Sequence, residues 1–211
     1  QWFIGILFAS TAAIALWQIF ANNQSLGYAL RSSAFNVTSI ITGTGYASED
    51  FWKWGTFPGI AFLFFMFVGG CAGSTSCSVK IFRYQVLFLA LKAQFERLLR
   101  PHRVDVAHYQ GQPLPDSVTD SVFAFFFLFL LLFAMLAFAL STLGLDFVTA
   151  VSSAATAITN VGPGLGEMVG PGGTFASIPD AAKWLLAGGM LLGRLEVFTV
   201  IVLFTRRFWR T

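Results

Sequence analysis

Three groups of residues in this chain have the types and spacing to handle a bare cation. The first is Ile41-Thr42-Gly43-Thr44-Gly45-Tyr46. A dehydrated cation needs oxygen ligands, and glycine lets backbone carbonyls turn toward one axis without a Cβ clash. Thr42, Gly43, Thr44 and Gly45 are therefore candidate coordinating residues, mainly through main-chain oxygens. The second group, Thr159, Asn160, Val161 and Gly162, precedes Pro163-Gly164 and offers the same chemistry. The third is Arg194, a cation inside an apolar run, together with the small-residue stretch Gly69-Gly70-Cys71-Ala72-Gly73-Ser74-Thr75-Ser76-Cys77-Ser78. For the glycine turns the competing reading is a tight extracellular turn that uses glycine's free φ.

Other chemistries find no support in the residues. Cys71 and Cys77 sit in or beside an apolar segment, which argues against a structural disulfide. No His/Cys/carboxylate cluster has metal-ligand spacing. His102 and His108 read as solvated residues of a polar loop. No nucleophile has a partnered base, so the chain is not expected to be an enzyme, and no cofactor is expected in it.

The elements that must position these groups belong to a membrane. Of 211 residues, 56% are hydrophobic and 11% charged, against about a quarter charged in soluble domains. The chain starts at Gln1 without a charged leader. A signal peptide is not expected, and the start reads as a cut through a longer chain. Trp2 to Phe20 has the length of a span across a core of about 30 Å. Ser32 to Ile40 suits a short helix that cannot span, and the first glycine turn follows it. Irregular backbone at membrane depth is tolerated only where protein buries it or water lines it. A short helix plus a Gly/Thr turn between two spans therefore predicts a re-entrant pore loop. Thr44-Gly45-Tyr46 is similar to the middle of the potassium-channel filter loop Thr-Val-Gly-Tyr-Gly.

The second span is predicted from Gly55 to Val68, with Trp52 and Trp54 at the interface. The stretch 69–78 is small on every face, unlike packing motifs that recur at i, i+4. A break in the helix near mid-membrane is the preferred reading, and close helix packing the alternative. Helix resumes over Val79–Leu99, and Pro101 stops it. Residues 102–117 read as a polar linker, with Asp116 and Ser117 as caps for the next helix. A third long segment, Val118–Leu143, precedes a short helix from Phe147 to Ile158 capped by Asp146. A Gly/Pro-rich loop over 165–183 leads to a last span from Trp184 to Phe204.

Charge sets the orientation. Six basic residues lie between Lys80 and Arg103, and three between Arg206 and Arg210. The positive-inside rule puts residues 80–117 and the C-terminal end in the cytoplasm, so both glycine turns dip in from outside. Arg194 lies ten residues past Trp184, about 15 Å along a helix and near mid-membrane. Such a charge is a functional hypothesis by default. A pair with Glu196 is disfavoured, because two residues apart on a helix are different faces.

The chain repeats itself. A shift of 117 positions places Ile41 on Ile158, Thr42 on Thr159 and Gly45 on Gly162. Lys53-Trp54 and Lys183-Trp184 head the second span of each copy. The expected fold is an all-α integral membrane protein with two parallel repeats of span, short pore helix, filter loop and span. The expected units are 1–104, with an interrupted second span and cytoplasmic extension, and 105–211.

With these motifs in order, the sequence resembles the Trk/Ktr potassium-uptake family, in its membrane subunits of TrkH and KtrB type. The resemblance rests on Thr42–Tyr46, Gly69–Thr75, Thr159–Gly164 and Gly193-Arg194-Leu195-Glu196. It implies the third and fourth pore-loop repeats of a longer chain, whose first and second repeats complete one pore. It implies potassium uptake across the cytoplasmic (inner) membrane, with potassium as cargo. It also implies a homodimer and a cytoplasmic nucleotide-binding ring subunit of TrkA or KtrA type. In the resemblance Arg194 sits below the filter beside the broken-helix loop, and the two form a gate. Gly43 and Asn160 depart from a channel filter's threonine, Pro163 from its tyrosine and Ala47 from its last glycine.

Other readings stay open. One is a non-selective or sodium-coupled cation channel or secondary transporter of the same superfamily. A transporter with inverted repeats is disfavoured by the parallel repeat. A plain tetrameric channel is disfavoured by two different filter sequences and a mid-span arginine.

Overall fold

The computed structural model describes residues 2–71, 73–74, 77–100, 108–109, 111–195 and 209. Apolar runs without internal proline give the two long helices, α1 (Trp2–Asn22) and α5 (Asp116–Thr142). Their 21 and 27 residues reach about 31 and 40 Å at 1.5 Å per residue. Both are long and apolar enough to cross a membrane. Each precedes a shorter helix, α2 (Leu26–Ile41) after α1 and α6 (Phe147–Thr159) after α5.

α2 begins at Leu26, not Ser32. Extended Ser25 starts the helix, Ala29 N–H reaches its carbonyl at 2.9 Å, and Ala29 is fully buried. α6 buries nearly every residue from Thr149 to Thr159. Their small side chains let α5 and α8 (Asp180–Arg194) pack close on either side. At Gly189 an added Cβ would stand 2.7 Å from Leu136 Cδ2 and 3.5 Å from Ala157 Cβ.

α3 (Thr56–Phe67) and α4 (Ile81–Leu99) are separate helices. The interruption leaves carbonyls at the end of α3 without helical partners. The chain returning from the loop satisfies them. Val79 N–H donates to Phe67 O at 3.1 Å, Tyr84 Oη to the same oxygen at 3.1 Å, and Ser78 Oγ to Met66 O at 2.8 Å. Gly69 N–H donates back to Val79 O at 2.9 Å. Irregular backbone is thus paired within the protein, as a low-dielectric setting requires.

One core joins the two halves of the chain. Ile14, Val37, Ile40, Ile41, Phe51, Trp54, Phe62 and Met66 pack with Ala155, Val161 and Leu165. Phe62 stacks on Phe51 with ring centroids 4.1 Å apart. Trp17 Nε1 and Asn22 Nδ2 both donate to Trp54 O, at 3.1 and 3.0 Å, and tie α1 to the segment after the first glycine turn.

Several boundaries differ from expectation. Pro115 is the N-cap of α5, so Asp116 and Ser117 lie inside the first turn and make no cap bond. The linker holds a two-stranded hairpin, β1 (His108–Tyr109) against β2 (Gln112–Pro113), turned at Gly111 with φ +82°. The 165–183 loop holds α7 (Gly166–Val169), and α8 starts at Asp180, where Lys183 Nζ donates to Asp180 Oδ1 at 2.9 Å. The described part of the last helix ends at Arg194, with Leu195 as its cap. The rest of the expected span to Phe204, with Glu196, lies outside the described residues, as do Arg206, Arg207 and Arg210.

Candidate functional site

Both glycine turns emerge from helix C-termini. After α2, Thr44 and Gly45 N–H both reach back to Ser39 O, at 2.9 and 3.2 Å. After α6, Val161 N–H donates to Thr156 O at 3.2 Å and Gly162 N–H to Thr156 Oγ1 at 2.8 Å. Amides turned into the helix leave carbonyls turned out. Among the described residues, the carbonyls of Gly43, Thr44, Gly45, Asn160, Val161 and Gly162 accept no hydrogen bond. The threonine hydroxyls are engaged: Thr42 Oγ1 donates to Thr38 O at 2.7 Å, and Thr159 Oγ1 to Ala155 O at 2.7 Å. The free ligands of these turns are main-chain oxygens, next to helix ends whose partial negative charge favours cations.

The two turns share a backbone pattern. Gly43 and Asn160 match under the 117-residue shift and are both left-handed, at φ +72° and +55°. Asparagine visits that region more readily than other non-glycine residues, which accounts for Asn160 where the other turn has Gly43. Gly45 and Gly162 match in the same way, at φ +78° and +118°.

The turns also meet. A Cβ on Gly45 would overlap Val161 O, and one on Gly162 would stand 3.8 Å from Gly45 Cα. A cavity of about 290 Å³ opens beside them, lined by Gly45, Tyr46, Gly162 and Pro163, with residues from the loop after α7.

α8 supports the second turn. Asn160 Nδ2 donates to Met190 O at 3.0 Å, so its side chain faces α8. Gly193 lies under Ile158 O, where any Cβ would overlap that oxygen.

The interrupted helix approaches the same turn. Ser78, left-handed at φ +57°, has its hydroxyl 2.8 Å from Met66 O and 3.4 Å from Thr159 O. It carries one proton for two acceptors. Arg194 meets the loop next door: its Nη1 lies 3.2 Å from Cys77 Sγ and donates to it. This contact falls on Cys77, within the 69–78 loop. Within that stretch, Ser74 Oγ donates to Cys71 O at 2.8 Å, and Gly69 packs against the Cys77 carbonyl. Gly70 O accepts from Ile81 N–H at 3.2 Å, and Gly73 has open space around it. Ala72 and Thr75 lie outside the described residues.

Sequence reasoning passed over Asn36, Ser48 and Gly193 as positioning residues. Asn36 carried a signal, as the one amide side chain in α2.

The family model described as "TrkH: Cation transport protein" matches residues 4–210. The chain is 52% identical over 198 residues to the Trk system potassium uptake protein TrkI of Halomonas elongata, covering 94% of this chain and 40% of that protein. It is 34% identical over 209 residues to TrkH of Escherichia coli K12, covering 99% and 43%. The crystal structure of the potassium transporter TrkH from Vibrio parahaemolyticus superposes with a TM-score of 0.90 at 35% identity, over 99% of this chain and 44% of that one. The chain thus spans about two fifths of the length of these relatives.

Proposed function

The chain belongs to the TrkH family of cation transport proteins, and we propose that it is the filter-bearing C-terminal half of a potassium uptake protein. The family makes it a membrane protein. In the proposal, residues 1–104 and 105–211 are two parallel repeats of span, pore helix, filter loop and span. The longer chain supplies the first and second repeats around the same pore.

One observation carries this reading. Two turns at matched positions, each after a helix C-terminus, present unengaged carbonyls and touch at Gly45 and Val161. That arrangement replaces an ion's hydration shell with fixed oxygens. Thr42–Gly45 and Thr159–Gly162 bind potassium as cargo, and no cofactor enters the step.

Below the filter, the 69–78 loop and Arg194 form the gate. The guanidinium stands where a cation must pass, repels it, and holds the loop at Cys77. Under the charge asymmetry of the chain, both turns open outside, and residues 80–117 and the C-terminal end face the cytoplasm. The protein acts in the inner membrane as a homodimer with a nucleotide-binding ring subunit on its cytoplasmic side. The relatives' names, as parts of a Trk system for potassium uptake, support the transport reading.

The test is complementation. The full-length protein should restore growth of a potassium-uptake-deficient bacterium at low potassium, and sodium should not substitute. Restored growth with equal uptake of both ions would favour the non-selective reading instead.

A further inference from the structure

Asn36 lies in the middle of α2, fully buried, six residues before the first filter candidate. Its amide makes three hydrogen bonds. Nδ2 donates to Ser32 O at 2.8 Å and to Ser48 Oγ at 2.8 Å. Oδ1 accepts from Ser48 N–H at 3.1 Å. A backbone N–H only donates, so the amide orientation is fixed by its partner. Ser48 stands three residues beyond Gly45. The amide therefore grips the backbone where the chain leaves the first turn, and α2 holds where it enters. Thr42 to Gly45 are bracketed between the two.

The second repeat is tethered differently. The 117-residue shift carries Asn36 to Ser153 and Ser48 to Leu165. Ser153 Oγ is buried without a partner, and Leu165 O accepts one bond, from Ser152 Oγ at 3.3 Å. Two bonds from Asn36 anchor the exit of the first turn at Ser48. At the matching Leu165 the only bond from the pore helix, among the described residues, is the longer one from Ser152 Oγ. The first turn is also the one with three of its four residues Gly or following Gly, so its backbone has the greater freedom to lose.

We infer that Asn36 is a positioning residue for ion discrimination: its clamp on Ser48 holds the first turn's carbonyls at the spacing that separates potassium from sodium. The inference rests on the filter reading above. Discrimination by a carbonyl ring depends on the ring keeping its size or its dipole density. A turn released at its exit can shrink around the smaller ion. Asn36 touches no ion and acts through Ser48.

The test uses full-length protein in proteoliposomes, with rubidium uptake competed by potassium or sodium chloride. Asn36→Ala, which removes both bonds to Ser48, should lower potassium-over-sodium discrimination by about tenfold, the scale of losing a buried hydrogen-bonded pair. Ser48→Ala, which keeps the Ser48 N–H but loses the hydroxyl bond, should lower it by a smaller factor. Rubidium uptake per folded molecule should persist. The double variant should do no more than Asn36→Ala alone, because the Ser48 hydroxyl acts only through the Asn36 amide. Ser153→Ala, at the matching but unpartnered site, should keep wild-type discrimination. If Asn36→Ala does not fold, Ser48→Ala decides alone. Wild-type discrimination in folded Ser48→Ala, or additive losses in the double variant, overturns the clamp. A Gly45→Ser control separates the two readings. If it shifts discrimination while the clamp variants do not, only this inference fails. If none of the variants shifts it, the filter reading fails with it.

Discussion

Gly193 of α8 lies directly against the carbonyl oxygen of Ile158, with no room for a Cβ between them. The same added atom would stand 2.9 Å from Asn160 Nδ2, which is bonded to Met190 O. α8 thus supports the second turn at two adjacent points. Gly193→Ala must displace either the helix or the turn, an overpacking cost of about 1–3 kcal/mol. The expected outcome is a lower melting temperature of the purified full-length protein and a loss of potassium uptake per molecule. Gly188→Ala, which has open space around it, should do neither.

Arg194 and Cys77 lie 117 residues apart in sequence and 3.2 Å apart in space. If that contact helps close the pore, removing either side should open it. Arg194→Ala should raise ion flux per molecule, because it deletes the repelling charge and frees the loop together. Cys77→Ala keeps the charge and should raise flux less. Flux normalised to monodisperse protein measures both. A purely structural arginine would lower the yield of folded protein and leave flux per molecule unchanged.

Asp146 caps α6 by accepting from Thr149 N–H at 3.1 Å. Its bonds to Thr149 hold its carboxyl below the ordinary aspartate value. A depressed folded value means the cap stabilises the protein above the unfolded value, and the gain is lost as pH falls through the folded one. Asp146→Ala should cost about 1 kcal/mol at neutral pH. The gap from wild type should close in acid. Thermal unfolding in detergent at both pH values reads this directly.

The turns were legible in the sequence because their backbone is. Left-handed positions at 43, 45, 160 and 162 take Gly or Asn, and those letters recur at one shift. The break after Phe67 was legible because ten consecutive small residues leave no helix face to pack. Side-chain partnerships across the fold were not. The Asn36–Ser48 clamp closes over twelve residues, and Arg194 finds Cys77 only once α8 and the loop are packed. Neither leaves a periodic trace. α2 was expected too short because Leu26 to Arg31 mixes apolar and charged letters. Those residues form helix because Ala29 is buried. The hairpin in the linker was missed because two-residue strands around Gly111 have too little alternation to read.

The account turns on whether the carbonyls of these turns select the ion. Gly45 tests it most directly, since φ +78° and the Val161 carbonyl both exclude a side chain there. The measurement is rubidium uptake by reconstituted full-length protein, competed by potassium and by sodium, for wild type and Gly45→Ser. The account predicts weaker competition by potassium and discrimination over sodium reduced about tenfold or more, as 1–3 kcal/mol of backbone strain implies. A folded Gly45→Ser protein with wild-type potassium affinity and wild-type discrimination would contradict it.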